Sequence, residues 1–202
     1  MGVRVEMITY RYAEGQTPLD EDDIHGLIPN IVTQKDLDTF EQENILMARE
    51  WLMNSSTLRK IDISEAFIIH LHKQMFRNVW KWAGKFRHSN KNIGVDYFNI
   101  PTQLRQLVKN AHYWIENQTY GTSDLAIIFH PRLVKIHPFS NGNGRHARLM
   151  ADAICAKYGG QRLTWGSKNN NLKPEVTRKQ YISALHQADK GNDIPLIEFA
   201  QS

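Results

Sequence analysis

The sequence predicts an all-α fold with one small β element set into it. Three observations carry that prediction. Apolar residues recur at helical spacing through several long segments. Capping and stop residues fall where those helices would need them. One stretch only, 83–100, breaks the pattern with turn formers and alternating apolar residues. The expected architecture is a helical bundle of about seven to nine helices carrying a β-hairpin flap.

Taken in order, residues 17–34 hold two prolines and many turn residues, so a loop with at most one short helical turn is expected. "KDLDTFEQENILMAREWLM", 35–53, places Leu37, Phe40, Ile45, Leu46, Trp51 and Leu52 near helical spacing. In 62–76, Ser64 stands as an N-cap before a face of Phe67, Ile68, Leu71 and Met75. Within 83–100, Gly84, Asn90, Asn92 and Gly94 suit turns, while Phe86, Ile93, Val95, Tyr97 and Ile100 suit short strands. Pro101 opens a helix running to about Asn117 with a clear apolar stripe. Ser123 is placed to cap "DLAIIFHPRLVKIH", in which Pro131 removes one backbone bond. A loop at 138–142 precedes the helix "NGRHARLMADAICAKYG", which Gly159 and Gly160 stop. A polar loop, "WGSKNNNLKPE", leads to a helix over "VTRKQYISALHQAD" and a short one closes the chain. No repeat, linker or low-complexity tract divides it, so one domain over 1–202 is expected.

Composition excludes several classes. The net charge is +4 with no run of basic residues, so no direct nucleic-acid role is expected despite a pI near 9.1. The single cysteine, Cys155, rules out an internal disulfide and is expected to be buried and inert. No apolar run reaches the ~18 residues of a membrane span. The opening "MGVRVEMITYRYAEG" lacks the apolar region of an export signal, and Glu6 stands where a myristoylation signal wants Ser or Thr. The expected location is the cytoplasm.

The chemistry concentrates in "IHPFSNGNGRHARLMAD", 136–152. Pro138 prevents His137 from continuing the preceding helix. The next helix opens at Asn143 or Gly144, so its unpaired N–H groups and positive dipole end face the loop. Gly142 and Gly144 permit close backbone approach, which suits a phosphate. Arg145 and Arg148, three apart, share a helix face beside those N–H groups and offer guanidinium forks for polyphosphate. His137, across the loop, is of the residue type that accepts a proton near neutral pH. Phe139 is expected to plug the core and hold the loop.

This stretch closely resembles the signature of the Fic family, H-P-F-x-[D/E]-G-N-G-R-x-x-R, through His137, Pro138, Phe139, Gly142, Asn143, Gly144, Arg145 and Arg148. "AGKFR" before the expected hairpin resembles the family's target-docking flap, and "FHPRLVKIHPF" its motif-leading helix. The chain is similar to the small stand-alone Fic proteins of the mobile mystery protein B type. The resemblance implies the Fic fold and transfer of AMP from ATP to a Tyr, Thr or Ser hydroxyl of a protein target. It implies that His137 deprotonates the hydroxyl, that Asn143, Arg145 and loop N–H groups hold phosphates, and that Arg148 pairs with the γ-phosphate. The flap at 83–100 would align the target by main-chain pairing. Asn141 departs from the pattern, which has Asp or Glu as a Mg²⁺ ligand there. A neutral amide is a poorer ligand for a hard cation, so weak metal binding is expected. That leaves open phosphate transfer, AMP removal, or a nucleotide-binding module without activity.

A second pattern of the family, [S/T]-x-x-x-E-[G/N] on an inhibitory helix, is matched by Thr39, Glu43 and Asn44 in "TFEQEN". The resemblance implies that Glu43 pairs with Arg148 and blocks the γ-phosphate. An exposed acidic helix face would fit the same residues. The resemblance also implies a small helix-turn-helix partner protein, and it leaves a homo-oligomer open. Among the other histidines, His70 and His72 lie two apart and face different ways, a poor metal pair. His146 is expected to be exposed and His130 to be a structural helix residue. Trp80, Trp82, Trp114 and Trp165 are expected to serve packing.

Overall fold

Buried stripes from successive helices converge on one apolar core in the computed structural model, which describes residues 18–31, 33–168 and 173–202. Among them nine α-helices form: α1 (Glu21–Ile24), α2 (Gln34–Met53), α3 (Ser55–Lys60), α4 (Glu65–Phe76), α5 (Ile100–Glu116), α6 (Thr122–Ile136), α7 (Asn143–Tyr158), α8 (Pro174–Asp189) and α9 (Ile194–Gln201). The opening stretch read for export and lipidation signals lies outside the described residues. Among the described residues, no helix is long and apolar enough to cross a membrane.

Local chemistry sets the helix ends. Thr33 accepts a hydrogen bond from Asp36 N–H, and Ser64 accepts one from Phe67 N–H, as N-caps do. The short α3, which the sequence reading did not foresee, is capped by Asn54 accepting from Ser56 N–H. Ser123 does not cap α6. The helix starts two residues earlier, with Gly121 as its N-cap, and the Ser123 hydroxyl accepts from Gln161 N–H instead. α6 continues through Pro131 and is buried along nearly its whole length. α7 lies between two left-handed glycines, Gly142 and Gly159, both at φ 78°.

α6 is the centre of the bundle. It packs along α7 and is flanked by α5, α8 and α9, while α2 lies across α4 and touches α7. The α2 stripe of Leu37, Glu41, Asn44, Ala48 and Leu52 carries two buried polar residues. A polar side chain in such a stripe needs a partner on the facing element.

The expected β-hairpin is absent from the described residues: 83–96 is loop, and Tyr97–Asn99 is a single 3₁₀ turn leading into α5. The β-prone residues of this stretch find no partner strand. Instead, Arg87 ties the loop to the motif. Its Nε donates to His137 O at 2.7 Å, Nη1 to Ser89 O at 2.8 Å, and Nη2 to Val95 O, while its backbone N–H donates to Pro138 O at 3.0 Å.

Candidate active site at the α6–α7 turn

The turn from α6 to α7 is built from the inside outward. Phe139 is fully buried and stacks on His72, with ring centroids 3.7 Å apart. Asn143 clamps Phe139 from both sides: Phe139 N–H donates to Asn143 Oδ1 at 3.0 Å, and Asn143 Nδ2 donates to Phe139 O at 2.8 Å. The Asn143 side chain thus holds the loop, and its backbone N–H lies in the first turn of α7.

His72 is a site residue that sequence reading missed, having weighed it only as a metal ligand. Its Nδ1 accepts from Gly84 N–H at 3.0 Å, so Nε2 carries the proton and donates to Asn141 O at 3.1 Å. It is fully buried, and burial holds its pKa well below the ordinary histidine value, with His146 adding to the effect. A histidine held neutral in this way is a fixed spacer between the AGKFR segment and the motif loop.

His137 is the C-cap of α6 and sits in the left-handed region at φ 54° and ψ 60°, outside the right-handed helical region that Pro138 disfavours. Only 5 % of its surface is exposed. Its pKa falls to about 4, through burial first and then the nearby Arg87 charge, with Lys91 contributing less and a hydrogen bond involving the Val134 backbone opposing the shift. The ring is therefore neutral at physiological pH, the form that can take a proton. Gly94 lies on top of it. A Cβ at Gly94 would come within 2.6 Å of His137 Cβ, and Gly94 is at φ 103°. Lys91 fastens this loop to the N-terminal segment, with Nζ 2.5 Å from Asp20 and 2.7 Å from the buried Asp23. The loop thus covers His137.

The two motif arginines part company. Arg145 Nη1 donates to Glu41 Oε2 at 2.6 Å, and its guanidinium lies 5.2 Å from the Phe76 ring centre. The other carboxylate oxygen of Glu41 accepts from Trp80 Nε1 at 2.7 Å. Arg148 stacks over the Tyr181 ring at 4.9 Å. The expected Glu43–Arg148 pair is not formed: Glu43 is exposed, and the carboxylate that α2 inserts at the motif is Glu41, on Arg145. The reason is helical register, since position 41 lies on the buried stripe with Leu37 and Ala48 and position 43 does not. Thr39 is exposed and donates to Lys35 O within its own helix. Asn44 is buried and donates to Phe40 O.

Gly142 is required twice over. It is left-handed, and a Cβ there would come within 2.5 Å of Phe76 Cζ. Its N–H donates to Asn141 Oδ1 at 2.5 Å. Gly144 faces the Tyr181 hydroxyl, which a Cβ would approach to 3.4 Å. The residues present do not fit a protein-held Mg²⁺. The Asn141 oxygen is neutral and engaged, the Glu41 carboxylate is shared between Arg145 and Trp80, and no cluster of three His, Cys, Asp or Glu suited to a metal occurs among the described residues.

The remaining expectations divide. His146 is buried rather than exposed, with its ring nitrogen bonded to Ile68 O at 2.9 Å. His146 lies on the buried face of α7, four residues before Met150 on the same side. His130 is buried inside α6 and its Nε2 meets the Tyr181 hydroxyl at 3.0 Å, a structural arrangement. His70 is exposed and His72 buried, so they do face different ways. Cys155 is buried, and burial pushes its thiol pKa up to about 12, far from reactivity.

Residues 62–155 match the Fic/DOC family. The chain is 26 % identical over 168 residues to the protein adenylyltransferases Fic of Drosophila sechellia and Drosophila melanogaster, covering 80 % of this chain and 32 % of theirs. It thus spans about a third of the length of these curated relatives (32 %). Among solved structures, Fic-1 from C. elegans superposes with a TM-score of 0.62 at 26 % identity, over 80 % of this chain and 48 % of that one. BepC from Bartonella tribocorum, solved with AMPPNP bound, superposes with a TM-score of 0.63 over 94 % and 93 %, and at 16 % identity it speaks to the fold alone. The signature residues of the turn lie inside the segment that matches the Fic/DOC family, on a helical fold shared with solved Fic structures.

Proposed function

We propose that this chain is a protein adenylyltransferase, transferring AMP from ATP to a Tyr, Thr or Ser hydroxyl of a protein target. The observation that carries the reading is the α6–α7 turn, where a neutral His137 stands beside a helix N-terminus flanked by two arginines. In the proposed reaction, His137 takes the proton of the target hydroxyl. The freed oxygen attacks the α-phosphorus of ATP, the bond to the β-phosphate breaks, and pyrophosphate leaves. The N–H groups at the start of α7 and the guanidinium of Arg145 or Arg148 offset the charge that develops on the phosphates. Gly142 and Gly144 keep the loop narrow enough for that approach. Asn141 and Asn143 use their amides to hold the loop in shape. The adenylyltransferase names of the relatives support the class of reaction.

The described conformation is a restrained one. Glu41 occupies Arg145 Nη1 and offsets the charge that a phosphate would meet, and Gly94 covers His137 from the side a hydroxyl would approach. We assign the restraint on the arginine to Glu41, with Glu43 left as a surface residue of the same helix. The target segment would enter by lifting the 87–96 loop and pairing with its backbone.

One observation favours a second reading. The loop has no acidic side chain, and Asn141 is already bonded to Gly142, which would suit a nucleotide-binding protein without transfer. Labelling with ATP carrying ³²P at the α or the γ position separates the two. Wild type, Glu41→Gln and His137→Ala would be compared with Mg²⁺ and a cell lysate as target. Label from the α position alone, lost in His137→Ala, is the expected result. Label from γ would mean phosphate transfer, and no label with measurable ATP binding would mean the second reading.

A further inference from the structure

A cavity of about 580 Å³ opens between α2, the middle of α7 and the 162–168 segment. That volume lies in the range of small-molecule sites. Its charged lining comes from three separate parts of the chain: Arg49 on α2, Asp152 on α7, and Arg162 with Lys168 on the segment beyond Gly160. Three cations therefore face one carboxylate. Arg49 and Arg162 are exposed, and neither has an ion-pair partner within 4 Å among the described residues.

Asp152 offsets only one of these three positive charges. One of its oxygens accepts from Trp165 Nε1 at 3.0 Å, and its burial pushes the carboxyl pKa up, against the pull of Arg49, Arg148 and Arg162. Those three guanidinium groups are near enough to act on it, yet Arg49 and Arg162 make no ion pair with it. Lys168 Nζ donates to Gln201 O at 2.8 Å and keeps further N–H donors. Trp165, half-buried, adds a flat apolar wall to the same cavity.

We propose that this cavity is a second ligand site, taking a small phosphate-bearing anion between Arg49, Arg162 and Lys168. Arginine forks match phosphate oxygens in pairs, and lysine adds a point charge. Drawing such an anion in would relieve the mutual repulsion of the cations, which the single carboxylate leaves uncompensated. No residue of the signature turn lines the cavity, so it is separate from the AMP-transfer site. The two sites are neighbours on α7, because Asp152 follows Arg148 by one turn.

The test is calorimetric binding to the full chain and does not depend on AMP transfer. ADP and inorganic tripolyphosphate serve as probes. Arg145→Ala/Arg148→Ala disables the signature turn, and Arg49→Glu/Arg162→Glu reverses the cavity's charge. The chain with the disabled turn is expected to keep one binding event, weakened about tenfold or more when the cavity charges are also reversed. Tighter binding of ADP than of tripolyphosphate, with a change in tryptophan fluorescence, would assign the ligand to nucleotides, whereas equal binding would assign it to free phosphates. If the charge-reversed chain loses its helical circular dichroism, Arg49→Gln/Arg162→Gln replaces it. Absence of binding at millimolar probe in the turn-disabled chain, or binding indifferent to the arginine changes, would overturn the proposal.

Discussion

Glu41 carries the main lesson at the scale of single residues. It is buried, it satisfies Trp80, and it occupies Arg145, so one carboxylate joins the core to the signature turn. Glu41→Gln keeps an acceptor for the indole and removes the charge. It should raise α-label transfer several-fold, whereas Glu43→Gly should change it little. A rise in Glu43→Gly alone would move the restraint to that residue. Gly142 makes a second prediction. Gly142→Ala must take a left-handed φ and drive a methyl into Phe76, so it should cost about 1–3 kcal/mol in urea unfolding. An unchanged midpoint would mean that the turn can reopen around the methyl. Both residues stand in plain sight in the sequence, but only Gly142 was legible there. A glycine before a helix announces a special backbone position, while a glutamate among several on one helix does not say which faces inward.

The 87–96 loop decides accessibility at the scale of elements. Its alternating apolar residues predict strands, yet a strand needs an edge to pair with, and none lies within reach among the described residues. The loop instead takes its shape from Arg87, Lys91 and the bare backbone of Gly94 over His137. Gly94→Ala should push the loop away, because the added carbon would sit 2.6 Å from His137 Cβ. The expected sign is faster modification of His137 by diethyl pyrocarbonate, read by mass spectrometry. An unchanged rate would mean that the loop already opens freely. Phe139, by contrast, behaves as its sequence context predicts. Phe139→Ala should cost about 3–5 kcal/mol, as loss of a buried aromatic does, and should loosen the turn with it.

The buried histidines bear on the stability of the whole molecule. His72, His130, His137 and His146 are all buried, and burial lowers the pKa of each, to about 4 for His137 and His146. Their unfolded value is near 6.5, so between pH 6.5 and pH 4 the unfolded chain binds more protons than the folded one. Stability is therefore full above pH 6.5 and falls as the pH drops toward 4, by roughly 3 kcal/mol for each of the two best-defined rings. Asp152, whose carboxyl burial pushes up, opposes this in part. Urea midpoints at pH 7.5, 6 and 5 check the prediction, and a flat series would mean that the rings charge without unfolding the bundle. The sequence foretold a structural His130 but expected an exposed His146. Which side of α7 meets the core depends on where α4 and α6 lie, and nothing within the 137–148 stretch specifies that.

What the sequence determined by itself is whatever depends on neighbours along the chain: the helices from their periodicity and caps, the turn from Pro138 and its glycines, and the chemistry of the His137–Arg148 signature. The tertiary structure alone decided the pairings between distant elements. Helix α2 presents Glu41 to Arg145 across 104 positions, Arg87 closes the loop onto His137 across 50, and His72 meets Asn141 across 69. Such contacts follow from the register and angle at which whole helices pack. Those are set by the sum of many buried side chains, and no short stretch of sequence contains that sum.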